Sequence, residues 1–225
     1  MESVSQNDKI ESLIKNGYEF RFEQYFSQGW TLFRKSPVQL VLYTLILVGV
    51  SFVLSLVPKV GEIASLFISP VLAAGYFVGI RKLDQTNTVE IGDFFNAFDN
   101  WVQLFIFSIL SSLLISLGLV FLFIPGIWLA VGLTFGVPLI LFAKHEFWDA
   151  IKNSVKIVTK KWFFFFGVAI ILGLMNIMGA FLLGIGLLVT IPFTFATMYS
   201  AYKDIVGFGG TEERDVTDHL VGDTF

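Results

Sequence analysis

Hydrophobic residues in this chain gather into three long blocks, and charges return only in the segments between them. The middle block, Trp101 to Ala143, carries no charge between Asp99 and Lys144. It is about twice the ~20 residues that one helix needs to cross a ~30 Å hydrocarbon layer. Pro125-Gly126 breaks it in the middle, and that pair suits a tight reversal. The block therefore predicts two helical spans, Val102 to Phe123 and Gly126 to Ala143. The flanking blocks divide in the same way, into Val38 to Val57 with Ile63 to Ile80, and Trp162 to Leu182 with Gly184 to Tyr199. The hairpins are thus 38–80, 102–143 and 162–199.

Each block is preceded by a segment with apolar residues at helical spacing and charges elsewhere. In Glu19 to Lys35 these are Phe22, Tyr25, Phe26, Trp30 and Phe33. In Val89 to Trp101 they are Ile91, Phe94, Phe95, Phe98 and Trp101. In Glu146 to Lys161 they are Phe147, Trp148, Ile151, Val155 and Val158. The predicted fold is all-α: a polytopic transmembrane bundle of six helices with three cytoplasmic interfacial amphipathic helices, spanning 19–205. Residues 1–18 read as a polar tail, helical in part over Asp8 to Lys15, and 206–225 as an acidic disordered tail. Phe22-Glu-Gln-Tyr-Phe26 resembles Ile91-Gly-Asp-Phe-Phe95 and, more loosely, Phe147-Trp-Asp-Ala-Ile151. A threefold repeat and three independent interfacial helices both account for this likeness.

Composition narrows the class. Hydrophobic residues make up 55% and charged residues 15% of the chain, against about a quarter charged in a soluble domain. Clustering of those few charges excludes a soluble globular fold. A net charge of −3 gives no footprint for nucleic acid. The absence of cysteine removes disulfides, thiol catalysis and thiolate metal sites. The polar N-terminus lacks the pattern of a cleavable signal peptide, so the first span is expected to direct insertion. Of the 15 basic residues, only Lys59 falls in a loop on the far side. Loop Lys and Arg stay inside, which places both termini and all three amphipathic segments in the cytoplasm. Trp30, Trp101, Trp148 and Trp162 are then expected at the inner interface and Trp128 at the outer one.

Candidate chemistry is sparse. No charge lies in the core of a span, which counts against ion-coupled transport. Ser108, Ser112 and Ser116 form a stripe on the third span, and Asn176 is the most polar group within the fifth. They suit either a polar cavity or close helix packing, and packing is the commoner use. Pro70, Pro138 and Pro192 each free a backbone carbonyl and predict kinks. His145 and His219 are too far apart for a metal site, His145-Glu146 lacks a second zinc ligand, and no GxSxG elbow occurs. Asp93 and Asp149 suit caps or solvated faces better than an acid pair. No catalytic residue, metal or cofactor is expected. Lys152, Lys156, Lys160 and Lys161, beside bulky apolar residues, are expected to attract anionic lipid headgroups as well as set topology.

Gly29-Trp30 with Phe33-Arg-Lys, Ile124-Pro-Gly-Ile127, Asp149-Ala-Ile-Lys-Asn-Ser154 with Lys161-Trp162, and Pro192 with Ala201-Tyr-Lys-Asp204 carry a resemblance. Together they resemble the six-span membrane domain of bacterial glycerophosphodiester phosphodiesterases and related bacterial integral membrane proteins, over most of Glu19 to Ile205. The resemblance implies a bacterial cytoplasmic (inner) membrane location and carries over no catalytic residue. The expected role is a non-enzymatic module that organises membrane lipids or a protein partner, with a homo-oligomer as a further option. A facilitator or channel for a small amphiphilic solute is the alternative.

Overall fold

The computed structural model describes residues 6–208 apart from 122 and 183. Among the described residues every regular element is helical and there is no strand. In chain order these are α1 (Gln6–Asn16), α2 (Phe22–Lys35), α3 (Pro37–Ser55), α4 (Val60–Thr86), a 3-10 helix (Ile91–Asn100), α5 (Trp101–Phe121), α6 (Phe123–Gly132), α7 (Gly136–Ala143), α8 (Phe147–Thr159), α9 (Trp162–Phe181) and α10 (Leu187–Ile205). Residues 209–225, expected as an acidic tail, lie outside the described residues.

Among the described residues, five helical stretches are long and apolar enough to cross a membrane: Pro37–Ser55, Val60–Thr86, Ile91–Phe121, Phe123–Ala143 and Trp162–Phe181. The sixth expected span falls in α10. That helix carries three threonines, two tyrosines, Lys203 and Asp204, which lower its mean hydropathy. Outside the core the surface is strongly apolar. Phe163, Phe181 and Ile124 are 82%, 84% and 79% exposed, and large apolar side chains are exposed along α3, α5 and α9, more than a soluble monomer shows to water. Such helices are compatible with an integral membrane protein.

Each segment that leads into a hairpin rests on the return helix of the hairpin before it. The 3-10 helix packs on α4, α8 on α6 and α7, and α2 on α10, the last helix among the described residues. One residue in each is wholly buried at the corresponding place: Tyr25, Phe94 and Ala150. In α2 and α8 the next buried residue on that face comes four positions later, at Gly29 and Ser154; in the middle segment it comes three later, at Ala97. The expected helix over Val89 to Trp101 is therefore of the tighter kind, whose side chains eclipse every third residue. Asp93 closes its start by accepting the Glu90 N–H at 2.9 Å. Phe94 then lies against Gly79, where a Cβ would collide with its ring, and Gly75 admits the Tyr43 hydroxyl.

The return half of the middle hairpin is not one straight helix. It stops at Gly132 and resumes at Gly136. Pro138 consequently sits in the first turn of α7, where a missing N–H costs nothing, whereas Pro70 and Pro192 lie inside α4 and α10. Ser154, fully buried on α8, bridges the break. Its hydroxyl donates to the Gly132 carbonyl at 2.7 Å and accepts the Phe135 N–H at 3.1 Å.

Two further placements depart from the sequence reading. Trp128 is not on the opposite side from Trp162: the Trp162 indole N–H donates to the Trp128 carbonyl at 3.3 Å. The break after Gly132 lets α6 lean toward α8 rather than run straight away from it. The first 18 residues also contain more than a polar tail. α1 packs on α8, Ile10 is 2% exposed, and the Tyr18 hydroxyl donates to the Ile157 carbonyl at 2.9 Å.

Candidate functional site

Charged side chains gather where α2, α4 and α10 meet. Asp84, near the end of α4, accepts the Lys203 ammonium at 2.6 Å and the Tyr199 hydroxyl at 2.9 Å. Asp204, near the end of α10, accepts Arg21 at 3.2 Å and the Tyr25 hydroxyl at 2.9 Å. Both pairings clamp a carboxylate between a phenol and a cation. Burial pushes the Tyr25 hydroxyl above its ordinary pKa, so it stays a proton donor to Asp204 at any physiological pH. Lys35 reaches Asn87 at 2.7 Å, and Asn87 itself caps α4 in the left-handed conformation with φ 58°. A polar groove of about 210 Å³ runs through this layer past Lys35, Asp84, Ser200 and Lys203.

The second cluster is built on α8. Its inner side, Ala150, Ile151, Ser154, Ile157 and Val158, is buried. Its outer side presents Trp148, 51% exposed, and exposed Lys152, Lys156 and Lys160. Lys152 is tied to Asp149 at 2.7 Å, and that bond holds the Asp149 carboxyl below the usual carboxylate range. Lys161 lies 5.8 Å from the Phe164 ring. Lys156 and Lys160 line a groove of about 420 Å³ with Thr159, Val155, Trp128 and Ile14. Its walls are apolar and its rim is cationic. Burial lowers the pKa of nearby His145, whose Nδ1 lies 3.3 Å from the Asn153 amide, and keeps the ring neutral.

Of the remaining tryptophans, two sit on aromatic neighbours and Trp101, among the described residues, does not. Trp30 stacks on Phe33 and meets Phe193 edge-on, Trp162 stacks on Phe166, and Trp101 is exposed at the start of α5. The serine stripe does not converge with Asn176. Ser108 is half-buried, Ser112 and Ser116 are on the exposed side of α5, and the Asn176 amide donates to the Leu172 carbonyl and to Thr194 on α10. A third groove, of about 300 Å³, opens between α3, α4 and α10, with Ser51 and the hydrogen-bonded pair Thr44 and Tyr76 on its wall.

Sequence reasoning missed Ser154 and the two tyrosine–carboxylate clamps. The only local signal was an Asp near the ends of α4 and α10, at 84 and 204. Among the described residues no group of three His, Cys, Asp or Glu side chains is placed to hold a metal ion. No family model matches the chain, and neither a curated protein nor a solved structure matches it significantly.

Proposed function

We propose that this chain is a six-crossing protein of a bacterial cytoplasmic membrane, with both termini inside, and that it organises anionic lipid at the inner leaflet without catalysing a reaction. One observation carries the reading: α8 is locked by its buried side onto α6 and α7, and the side it turns outward is cationic and aromatic. A helix fixed in that way presents Lys152, Lys156 and Lys160 to headgroups while Trp148 settles among them. The layer that joins Arg21, Asp84, Lys203 and Asp204 belongs on the same side, because loop cations are retained in the cytoplasm. The matching docking of α2, the 3-10 helix and α8 on successive return helices supports a threefold internal repeat. The likeness to the membrane domain of glycerophosphodiester phosphodiesterases agrees with such a module.

A second arrangement is favoured by the contact between Trp128 and Trp162. If that layer is the inner interface, the turn between α5 and α6 lies only about 10 Å of helix further on, at 1.5 Å per residue. The middle hairpin then enters and leaves on one side, and both termini still share a side. Single cysteines in this cysteine-free chain decide between the two. K59C should react with an impermeant maleimide added outside intact cells, and K152C only after lysis. Labelling of I124C from outside supports six crossings, and its protection supports the shallow hairpin. K152C labelling in intact cells overturns the orientation, and with it the inner-leaflet role. A channel for an amphiphilic solute has only the lateral groove beside Thr44, Ser51 and Tyr76 in its favour.

A further inference from the structure

We infer that the groove between α1, α6 and α8 is a site for one anionic phospholipid, its phosphate held by Lys156 and Lys160 and the glycerol end of its chains lying against Trp128, Val155 and Ile14. This rests on the inner-leaflet reading above, in the arrangement where Trp128 shares the layer of Trp162, and adds to it a place and a ligand.

Lys156 and Lys160 stand four residues apart, so they lie one above the other on the same side of α8. Two like charges at that spacing repel and weaken a helix. No acidic residue occupies a position three or four away from either lysine. Among the described residues neither makes an ion pair, whereas Lys152 is neutralised by Asp149. α1 contributes Ile14 to the lining and none of its acidic residues. The pair is therefore a cationic site in want of an anion, and Thr159 places a hydroxyl beside it.

The rest of the lining says which anion. Ile14, Trp128 and Val155 offer nothing to a hydrated ion, but they match the first carbons of acyl chains. Indole rings favour the headgroup level of a bilayer. At about 420 Å³ the groove is the largest of the three described and falls in the range of ordinary ligand sites. Two unpaired cations discriminate against zwitterionic lipids, whose own ammonium they repel. Each basic residue near an anionic surface contributes enough that losing two should weaken binding by roughly 30-fold.

The test uses the full chain in mild detergent, titrated with phosphatidylglycerol or phosphatidylcholine and read by native mass spectrometry. The wild type should hold one phosphatidylglycerol at least tenfold more tightly than phosphatidylcholine. K156Q/K160Q should lose that preference, while K9Q/K15Q, which removes equal charge from α1, should keep it. Circular dichroism melting shows whether each variant is folded. If K156Q/K160Q melts as the wild type does and keeps the preference, the site is overturned while the inner-leaflet role stands. If the wild type has no preference, both fail. Competition by inorganic phosphate as strong as by phosphatidylglycerol also overturns the site, because the apolar wall would then contribute nothing.

Discussion

Removing one hydroxyl, in Ser154→Ala, tests whether the broken return helix of the middle hairpin depends on α8. The substitution keeps the Cβ and leaves no large cavity. It strands two buried backbone groups, the Gly132 carbonyl and the Phe135 N–H, which Ser154 now satisfies at 2.7 and 3.1 Å. Ser154 is wholly buried, so water does not take its place. Leaving a buried polar group unsatisfied costs about 1–3 kcal/mol, which makes the expected loss about 2–6 kcal/mol for the pair. In a chain of this length each kcal/mol lowers the midpoint by about 2–4 °C, so a drop of about 4–24 °C is expected. Thermal unfolding of the detergent-solubilised chain, followed by circular dichroism, measures it. Ser112→Ala on the exposed side of α5 is the reference and should change stability by less than about 0.5 kcal/mol. Should S154A melt within a degree or so of S112A, the bridge is not what holds α6 to α7.

Asp84→Asn should cost about 1.5–3 kcal/mol, the usual worth of a charged hydrogen bond, with Tyr199→Phe costing about 1 kcal/mol; chemical denaturation of both variants checks the order. Gly79→Val forces side-chain atoms into the Phe94 ring, and overpacking of this kind costs about 1–3 kcal/mol. Limited proteolysis should then cut near Ile91–Asn100 sooner than in the wild type. Burial depresses the pKa of His145 below its ordinary 6.5, with Asp149 opposing in part. The unfolded chain then binds the proton more readily. Stability from this group is complete above about pH 6.5 and is lost as pH falls through the lower folded value. His145→Gln should flatten that decline, which melting curves at about pH 7.5 and 5.5 would reveal.

The apolar blocks and the segments that precede them were legible because hydrocarbon demands long uncharged runs. A reversal was legible in the middle block but was placed at Pro125-Gly126; α5 ends at Phe121 and α6 starts at Phe123, so that pair lies in the first turn of α6, where a proline is tolerated. The interruption at Leu133–Phe135 was not, because its polar groups are satisfied by Ser154, which local spacing does not connect to it. Pro138 pointed to the right neighbourhood but to a kink rather than a gap. Trp128 was assigned its side by counting along an unbroken helix, and the gap defeats that count. Ile10 was overlooked because α1 is otherwise polar, and only its docking on α8 gives that single residue a buried place. Of the α8 lysines, sequence gave the charge; only the packing of α1 and α6 gave Lys156 and Lys160 an apolar wall.

Arg21 and Asp204 are 183 residues apart and yet directly bonded. The first interfacial helix finds its partner in α10, so a nascent chain leaves the ribosome with Tyr25, Gly29 and Phe33 uncovered until α10 has been made. Such distant pairing is slow to close. A chain truncated before α10 would present that uncovered face to membrane quality-control proteases, and its rapid turnover would follow from topology alone.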